Sequence, residues 1–469
     1  MKSVAARIGM VVIALVIAAG AVLGGLYYLF GAHFYFDPPK ADYPKPASPL
    51  EAQRQDLDYF RKAIALDRSF SPAAREEAEQ RIETLEKLPA ALPEQKFHVA
   101  LMQIVTLADN GHSKLRATDG DRKVLMAPLR ITRFAEGFFV MRAKSPYSDM
   151  LGGRVESIDG VPFDQVLAKL KTLRGGTDAF RADNAAVFIE DQELLYGAGI
   201  ARDPKQSEWT VRMPDGRQVT HLLKAYPDKG DVLFVYGPRW LSPEPKKDMG
   251  ADWVAYEPAR GTLPQSLRDF DNHFVSEPIA GSCAQYIRVQ DIVDTDGQKI
   301  QPFLKSTTAA LQAHKPCAIV FDLRGDGGGD YTNMWDFTHA LPGLTTGNIY
   351  ILTDSGTFSA AITTTAFTKE AGGKRVFIIG EPVGDRMAFY AEGGNAVLPN
   401  SKFSLSYETG KHDYGHPCTD WHNCFWLNWL YPVRVKTLQP DIPVPLRFAD
   451  WNQGRDLAYE RAVALATGR

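Results

Sequence analysis

From about residue 281 onward the sequence alternates between two kinds of segment. "CAQYIRVQDI" reads as a strand, "IQPFLKSTTAALQAH" as a helix, and "CAIVFDLRGDGGG" as a buried strand ending in a glycine loop. "GNIYILTDSGTFS" is another strand, "AAITTTAFTKEAG" a helix of small residues, "KRVFIIGE" a strand, and "NQGRDLAYERAVALA" a closing helix. Strand alternating with helix constrains residues 281–469 to a layered α/β domain, with chemistry expected at the strand ends.

The rest of the chain divides by pattern. At 469 residues with 45% apolar content, the protein exceeds what one core normally organises, so two or three domains are expected. Residues 50–125 read as a helical region: "SPAAREEAEQRIETLEKL" has a Ser-Pro start and helical spacing, and the turn "ADNGHSKL" follows. Residues 126–230 alternate short strands with Gly turns. There "LGGRVESIDGVPFDQVLAKLKTL" gives a strand, an Asp-Gly turn and an amphipathic helix with Phe163, Val166, Leu167 and Leu170 on one face, and it resembles a PDZ domain. Residues 231–280 are a Pro- and Gly-rich connection, and 37–49 ("DPPKADYPKPASP") have the composition of a semi-rigid spacer.

Residues 1–36 carry Lys2 and Arg7 followed by an uncharged apolar run from Ile8 to Phe30, long enough to span a bilayer. A cleaved signal peptide is the rival reading. The run continues through Leu26–Phe30 beyond its small residues, so a single-pass anchor is expected, with Tyr27, Tyr28, Phe34 and Tyr35 at the far interface. The remainder then lies outside the cytoplasm, periplasmic in a bacterium. A net charge of -3 without a basic stripe excludes a nucleic-acid partner. Four cysteines fit an oxidising compartment, with Cys418–Cys424 and Cys283–Cys317 as candidate disulfides; free buried thiols are the alternative for the second pair.

A serine is a nucleophile only when a base takes its proton and donors stabilise the oxyanion. Ser359 stands between a strand and a helix of small residues, so its hydroxyl is a candidate and the Ala360 N–H can point at a developing oxyanion. An N-cap serine is the structural alternative. "DLRGDGGGD" places three glycines after a buried strand, leaving N–H groups uncovered by side chains. It lacks the spacing of a nucleotide fingerprint.

The order "GHS", "ESIDG", "IVFDLRGDGGG", "YILTDSGTFSAA", "IIGEPVGD", "LQPDIPV" resembles the C-terminal processing peptidase family, which includes tail-specific proteases and the tricorn core, over about residues 50–450. The resemblance implies a ClpP/crotonase-like α/β catalytic domain with a PDZ-like module and an N-terminal helical region. It also implies Ser359 as the acylated nucleophile, with Ala360 and Gly327 or Gly328 as oxyanion donors. Tail-specific members carry a lysine base where this chain has Gly384, Asp385 and Arg386, and a guanidinium cannot accept the proton. The tricorn-like branch takes its base from an early histidine, which makes His112 the expected general base. The acid expected to orient it is Asp413, chosen among Glu408, Asp413 and Asp420 of an insertion-like loop; the tricorn-like glutamate position near Arg434 carries no acid. His412, His416 and His422 in that loop invite a metal reading, but Gly415 and Pro417 disfavour the helix it needs, so no metal and no cofactor are expected.

The function expected is a membrane-bound serine endopeptidase (a hydrolase) cleaving peptides or unfolded proteins, its oligomeric state left open. A catalytically silent relative binding a peptide or hydrophobic ligand is the alternative. A non-peptide acyl hydrolase would need a G-x-S-x-G elbow, which "GTFSAA" is not.

Overall fold

The computed structural model describes residues 2–117, 123–228, 241–244, 250–259, 263, 267–269, 271–295 and 297–468; much of the 231–280 connection lies outside them. The strand-helix alternation becomes a six-stranded sheet in the order Phe274–Pro278, Gln285–Val289, Ile319–Asp322, Ile349–Thr353, Val376–Gly380, Ile442–Pro443. The first pairing is antiparallel and the others are parallel.

Both faces of this sheet are covered, which is why its inner strands Ile319–Asp322, Ile349–Thr353 and Val376–Gly380 are almost wholly apolar. Ile319 and Phe321 pack toward the helices Ile300–His314, Trp335–Leu344 and Ala360–Gly372. Val320, Tyr350 and Leu352 point the other way, onto Ala458 and Ala462 of the closing helix Leu457–Thr467. Cys283 and Cys317 form a disulfide beside the starts of neighbouring strands.

Upstream, a seven-stranded antiparallel sheet includes Gly137–Lys144, Arg154–Ile158, Gln206–Arg212 and Gln218–Lys224. The "IDG" turn is a two-residue hairpin: Asp159 and Gly160 both take positive φ, the geometry that matches strand twist. The helix Phe163–Leu170 then buries Val166 and Leu170. Residues 49–105 form three helices, Pro49–Ile64, Pro72–Glu86 and Glu94–Val105, the first two with serine caps and a proline at the first helical position.

A three-stranded sheet joins the parts: Lys114–Arg116 pairs with Ser404–Asp413, which pairs with Ala388–Val397. The stretch read as an insertion-like loop therefore begins as a strand, and only 414–426 is irregular, closed by the Cys418–Cys424 disulfide. Glu392, at φ 60, and Thr409 opposite it interrupt the ladder of this hairpin without shifting its register.

The apolar N-terminal segment is helical from Lys2 to Tyr27 and continues through Tyr28–Ala32. Ile13–Ala32 is the one helix among the described residues long and apolar enough to cross a membrane. Phe34, expected at a lipid interface, is instead buried: it packs on Phe425 and under the Arg68 guanidinium. The Thr409 hydroxyl donates to Phe34 O (2.6 Å) and the Tyr407 hydroxyl to Phe36 O (2.6 Å). The proline-rich stretch also lies on the body, with the Tyr43 hydroxyl donating to Asp58 and the Gln55 amide to Pro44 O.

Candidate active site

Two loops at the carboxyl ends of the parallel strands meet at Ser359. The Thr357 hydroxyl donates to Leu323 O (2.9 Å), the Phe358 N–H to Asp326 O (2.9 Å), and the Gly325 N–H to Asp354 Oδ1 (2.9 Å), so the serine loop and the glycine loop are stitched together. Ser359 heads the helix Ala360–Gly372 with φ 55 and ψ -122 and makes no capping hydrogen bond. A non-glycine residue held there is strained by roughly 1–3 kcal/mol, a cost that surrounding structure sustains and that clusters at functional sites. The N-cap role, the ordinary reason for a serine at a helix start, is therefore unfilled.

Gly328 lies directly against this serine. At its φ of +105, a Cβ there would come within 2.6 Å of Ser359 Cβ and 2.9 Å of the Ala360 nitrogen. The Gly328 N–H donates to Asp326 Oδ1 (2.9 Å). Neither the Gly327 N–H nor the Ala360 N–H has an acceptor among the described residues. Of the three expected oxyanion donors, two are thus open and the third is turned to a buried carboxyl, whose pKa burial raises well above the usual range.

His112 reaches the site from the other end of the chain. Its ring stacks on Phe358, the residue before the serine (centroids 4.3 Å apart), and on Phe389 (5.2 Å), and His412 stacks on the far side of Phe389 (5.2 Å). Both ring nitrogens of His112 are buried, with no hydrogen-bond partner among the described residues. Burial lowers the His112 pKa well below its ordinary value, and the charges of Lys114, His412 and Arg174 push it the same way. Lys114 is itself pushed down to about 7, chiefly by burial.

The turn that carries His112 is pinned by residues for which sequence reasoning had no role. Asn110 both accepts from Tyr390 N–H (3.2 Å) and donates to Tyr390 O (2.9 Å), imitating a strand neighbour. Asp385 accepts the Gly111 N–H (3.2 Å), and Arg386 donates to the carboxylate and the carbonyl of Asp109 (2.7 and 2.9 Å). Asp385 and Arg386, which occupy the place of the absent lysine, hold the histidine turn. The "PVGD" motif was the signal that could have marked them. Burial pushes the Asp385 carboxyl up to about 6.

Asp413 is placed differently from the expectation. Its Oδ1 accepts the Gly415 and His416 N–H groups (3.1 and 3.0 Å), closing its own turn, and its Oδ2 faces Lys411 (3.6 Å). Among the described residues, the charged groups that act on His112 are Lys114, His412 and Arg174, none of them a carboxylate. Glu408 is buried in mid-strand and Asp420 caps the disulfide loop. His412 lies buried within the hairpin while His416 is exposed, so the two do not converge, and among the described residues no group of three His, Cys, Asp or Glu is placed to hold a metal.

Behind the serine loop, a cavity of about 80 Å³ opens at the strand ends, with Asp354 and Gly356 in its lining. Its Arg133 is held by Asp183 and Glu381, and its Arg324 by Asp322 and Asp456, so these cations are neutralised in place.

This arrangement is the fold of the C-terminal processing peptidases, the one that the order of motifs resembled. The structure of mature CPAF complexed with lactacystin superposes with a TM-score of 0.56 at 12% identity, covering 89% of this chain and 98% of that one. A second structure of mature CPAF gives 0.55, also at 12%, covering 89% and 97%. The photosystem II D1 C-terminal processing protease is a looser match, at 0.35 and 14%, covering 88% and 99%. No family model and no curated protein matches the sequence.

Proposed function

We propose that this chain is a serine endopeptidase of the C-terminal processing peptidase family, held at a membrane by its apolar helix with the folded part outside the cytoplasm. The observation that carries the reading is the strained, uncapped Ser359 abutted by Gly328, with the His112 ring stacked on the adjoining Phe358. His112 takes the Ser359 proton, the oxygen attacks the peptide carbonyl, and the tetrahedral oxyanion is met by the Ala360 and Gly327 N–H groups. Histidine then returns the proton to the leaving amine, and water hydrolyses the acyl-enzyme by the same steps reversed.

Two features support this assignment of the base. His112 is held uncharged near neutral pH, so it is ready to accept a proton. Its two ring nitrogens lack partners among the described residues, and a buried polar group left unpaired costs about 1–3 kcal/mol, a cost relieved when the ring gains the serine hydroxyl and a substrate group. Hydrogen bonds of this kind commonly form only in the complex. The reading this assignment has to be told from is a silent relative that binds a peptide or hydrophobic ligand.

Fluorophosphonate labelling of the full-length chain in detergent separates the two. Labelling of the wild type, lost in Ser359→Ala and in His112→Ala, is expected. A folded wild type that neither labels nor cleaves peptides would sink the peptidase reading.

A further inference from the structure

Where the apolar helix ends, the chain runs straight onto the disulfide loop. The Phe30 ring meets Trp426 (centroids 5.1 Å apart), and His33 stacks on Trp421 (5.7 Å) while its Nε2 lies 2.8 Å from His422 O. Arg68 donates to both His33 O and His422 O, locking helix end to loop. The loop and the short helix Leu427–Leu430 that follows it nevertheless leave apolar groups uncovered: Trp421 is 60% exposed, Trp429 47% and Leu430 63%. The two tryptophans are the only large exposed aromatics of the described residues outside the N-terminal segment. Their presentation is rigid, since Cys418–Cys424 closes the loop bearing Trp421 and the Trp429 indole donates to Cys418 O (3.3 Å).

We infer that Trp421, Trp429 and Leu430 form a membrane-docking patch that seats the catalytic domain in the interfacial layer of the bilayer its own N-terminal helix spans. This rests on the anchor reading above. The polar layer on each side of a hydrocarbon core is roughly 5–8 Å thick. Trp421 lies 5.7 Å from the ring of His33, the residue immediately after the span Ile13–Ala32, which places it within that layer. Tryptophan, with an apolar body and one polar N–H, is the side chain that layer favours. Between His412 and Val433 the sequence has no Lys or Arg and two acids, Asp413 and Asp420, so the patch recognises the apolar interface itself and not anionic headgroups.

The test uses the full chain in phosphatidylcholine vesicles whose acyl chains carry bromine at a shallow or a deep carbon. The fluorescence removed by W421F/W429F is the signal. More than half of it is expected to be quenched by shallow bromine, less by deep bromine, and equally in 0.1 M and 1 M salt. Quenching no greater than that of free N-acetyltryptophanamide overturns the inference. Rings shielded from aqueous iodide yet unquenched by lipid also overturn it, in favour of a second copy or a protein covering the patch. Loss of quenching at high salt overturns the apolar mode of recognition. Alkaline carbonate extraction separates the two readings: a chain released into the supernatant overturns the anchor and the docking together, whereas a retained chain with unquenched rings overturns the docking alone. Should the double variant fail to fold, W421F and W429F each carry the readout singly.

Discussion

Glycine at position 328 has a measurable consequence. A methyl group there would collide with Ser359 and would sit on a backbone at φ +105 that side-chain-bearing residues rarely adopt. Gly328→Ala is expected to lower kcat/KM by about 100-fold or more, because a displacement of order 1 Å at a reacting group costs that much. Titration of activity reads the histidine. A base must be neutral to act, so kcat/KM rises with pH through the His112 pKa and is flat above it. Burial first and then Lys114 lower that pKa, so the acidic limb is expected below pH 6.5. Lys114→Met removes a like charge, and the limb should move up toward 6.5; a limb that moves down, or stays fixed, argues against His112 as the titrating base.

At the level of elements, the histidine turn is as informative as the histidine. Asp385→Asn keeps an oxygen for the Gly111 N–H and is expected to remain near wild-type activity, whereas Asp385→Ala leaves that N–H without its acceptor and should lower kcat about tenfold or more with KM little changed. Steady-state kinetics on both variants checks this. The Cys283–Cys317 disulfide closes a loop of 34 residues, for which chain entropy gives about 3–4 kcal/mol. The double serine variant should lose that much in denaturant unfolding, while Ser359 labelling of the folded fraction persists.

What was legible at this level follows from how local each signal is. Ile319–Asp322 and Ile349–Thr353 were readable because strands buried on both faces are almost wholly apolar, and the Asp159-Gly160 hairpin because its turn demands those residues. Ser404–Asp413 was not, since Glu408, Gly410 and Lys411 break the apolar pattern. Its regularity comes from the hairpin it makes with Ala388–Val397 along its length and, at its first three residues, from pairing with Lys114–Arg116, far away in the chain. Arg386 could be set aside as a base on its chemistry alone, but its grip on Asp109 is a tertiary contact that no spacing announces. Ser359, His112 and Gly328 could be named from motif order, whereas the clamp of Phe358 and Phe389 and the placement of Asp413 needed the fold.

Across the whole molecule, the short segment from His33 to Phe36 joins parts that composition had assigned to an anchor and a spacer. Phe34 is 1% exposed, and truncating a buried phenylalanine to alanine costs about 3–5 kcal/mol. A chain beginning at residue 37 is therefore expected to be less stable than one beginning at 33, in a comparison of their thermal unfolding. The same contacts leave no slack between the apolar helix and the hairpin that carries Phe389 and His412. If the helix spans a bilayer and Ser359 is the nucleophile proposed above, that serine stands at one set height above the membrane and the protein becomes a ruler: it would cut where a substrate's bond crosses that height, not wherever a flexible tether could swing. Inserting residues between Ala32 and His33, each adding up to about 3.5 Å of reach, would move the cleavage point along a membrane-bound substrate by a corresponding distance.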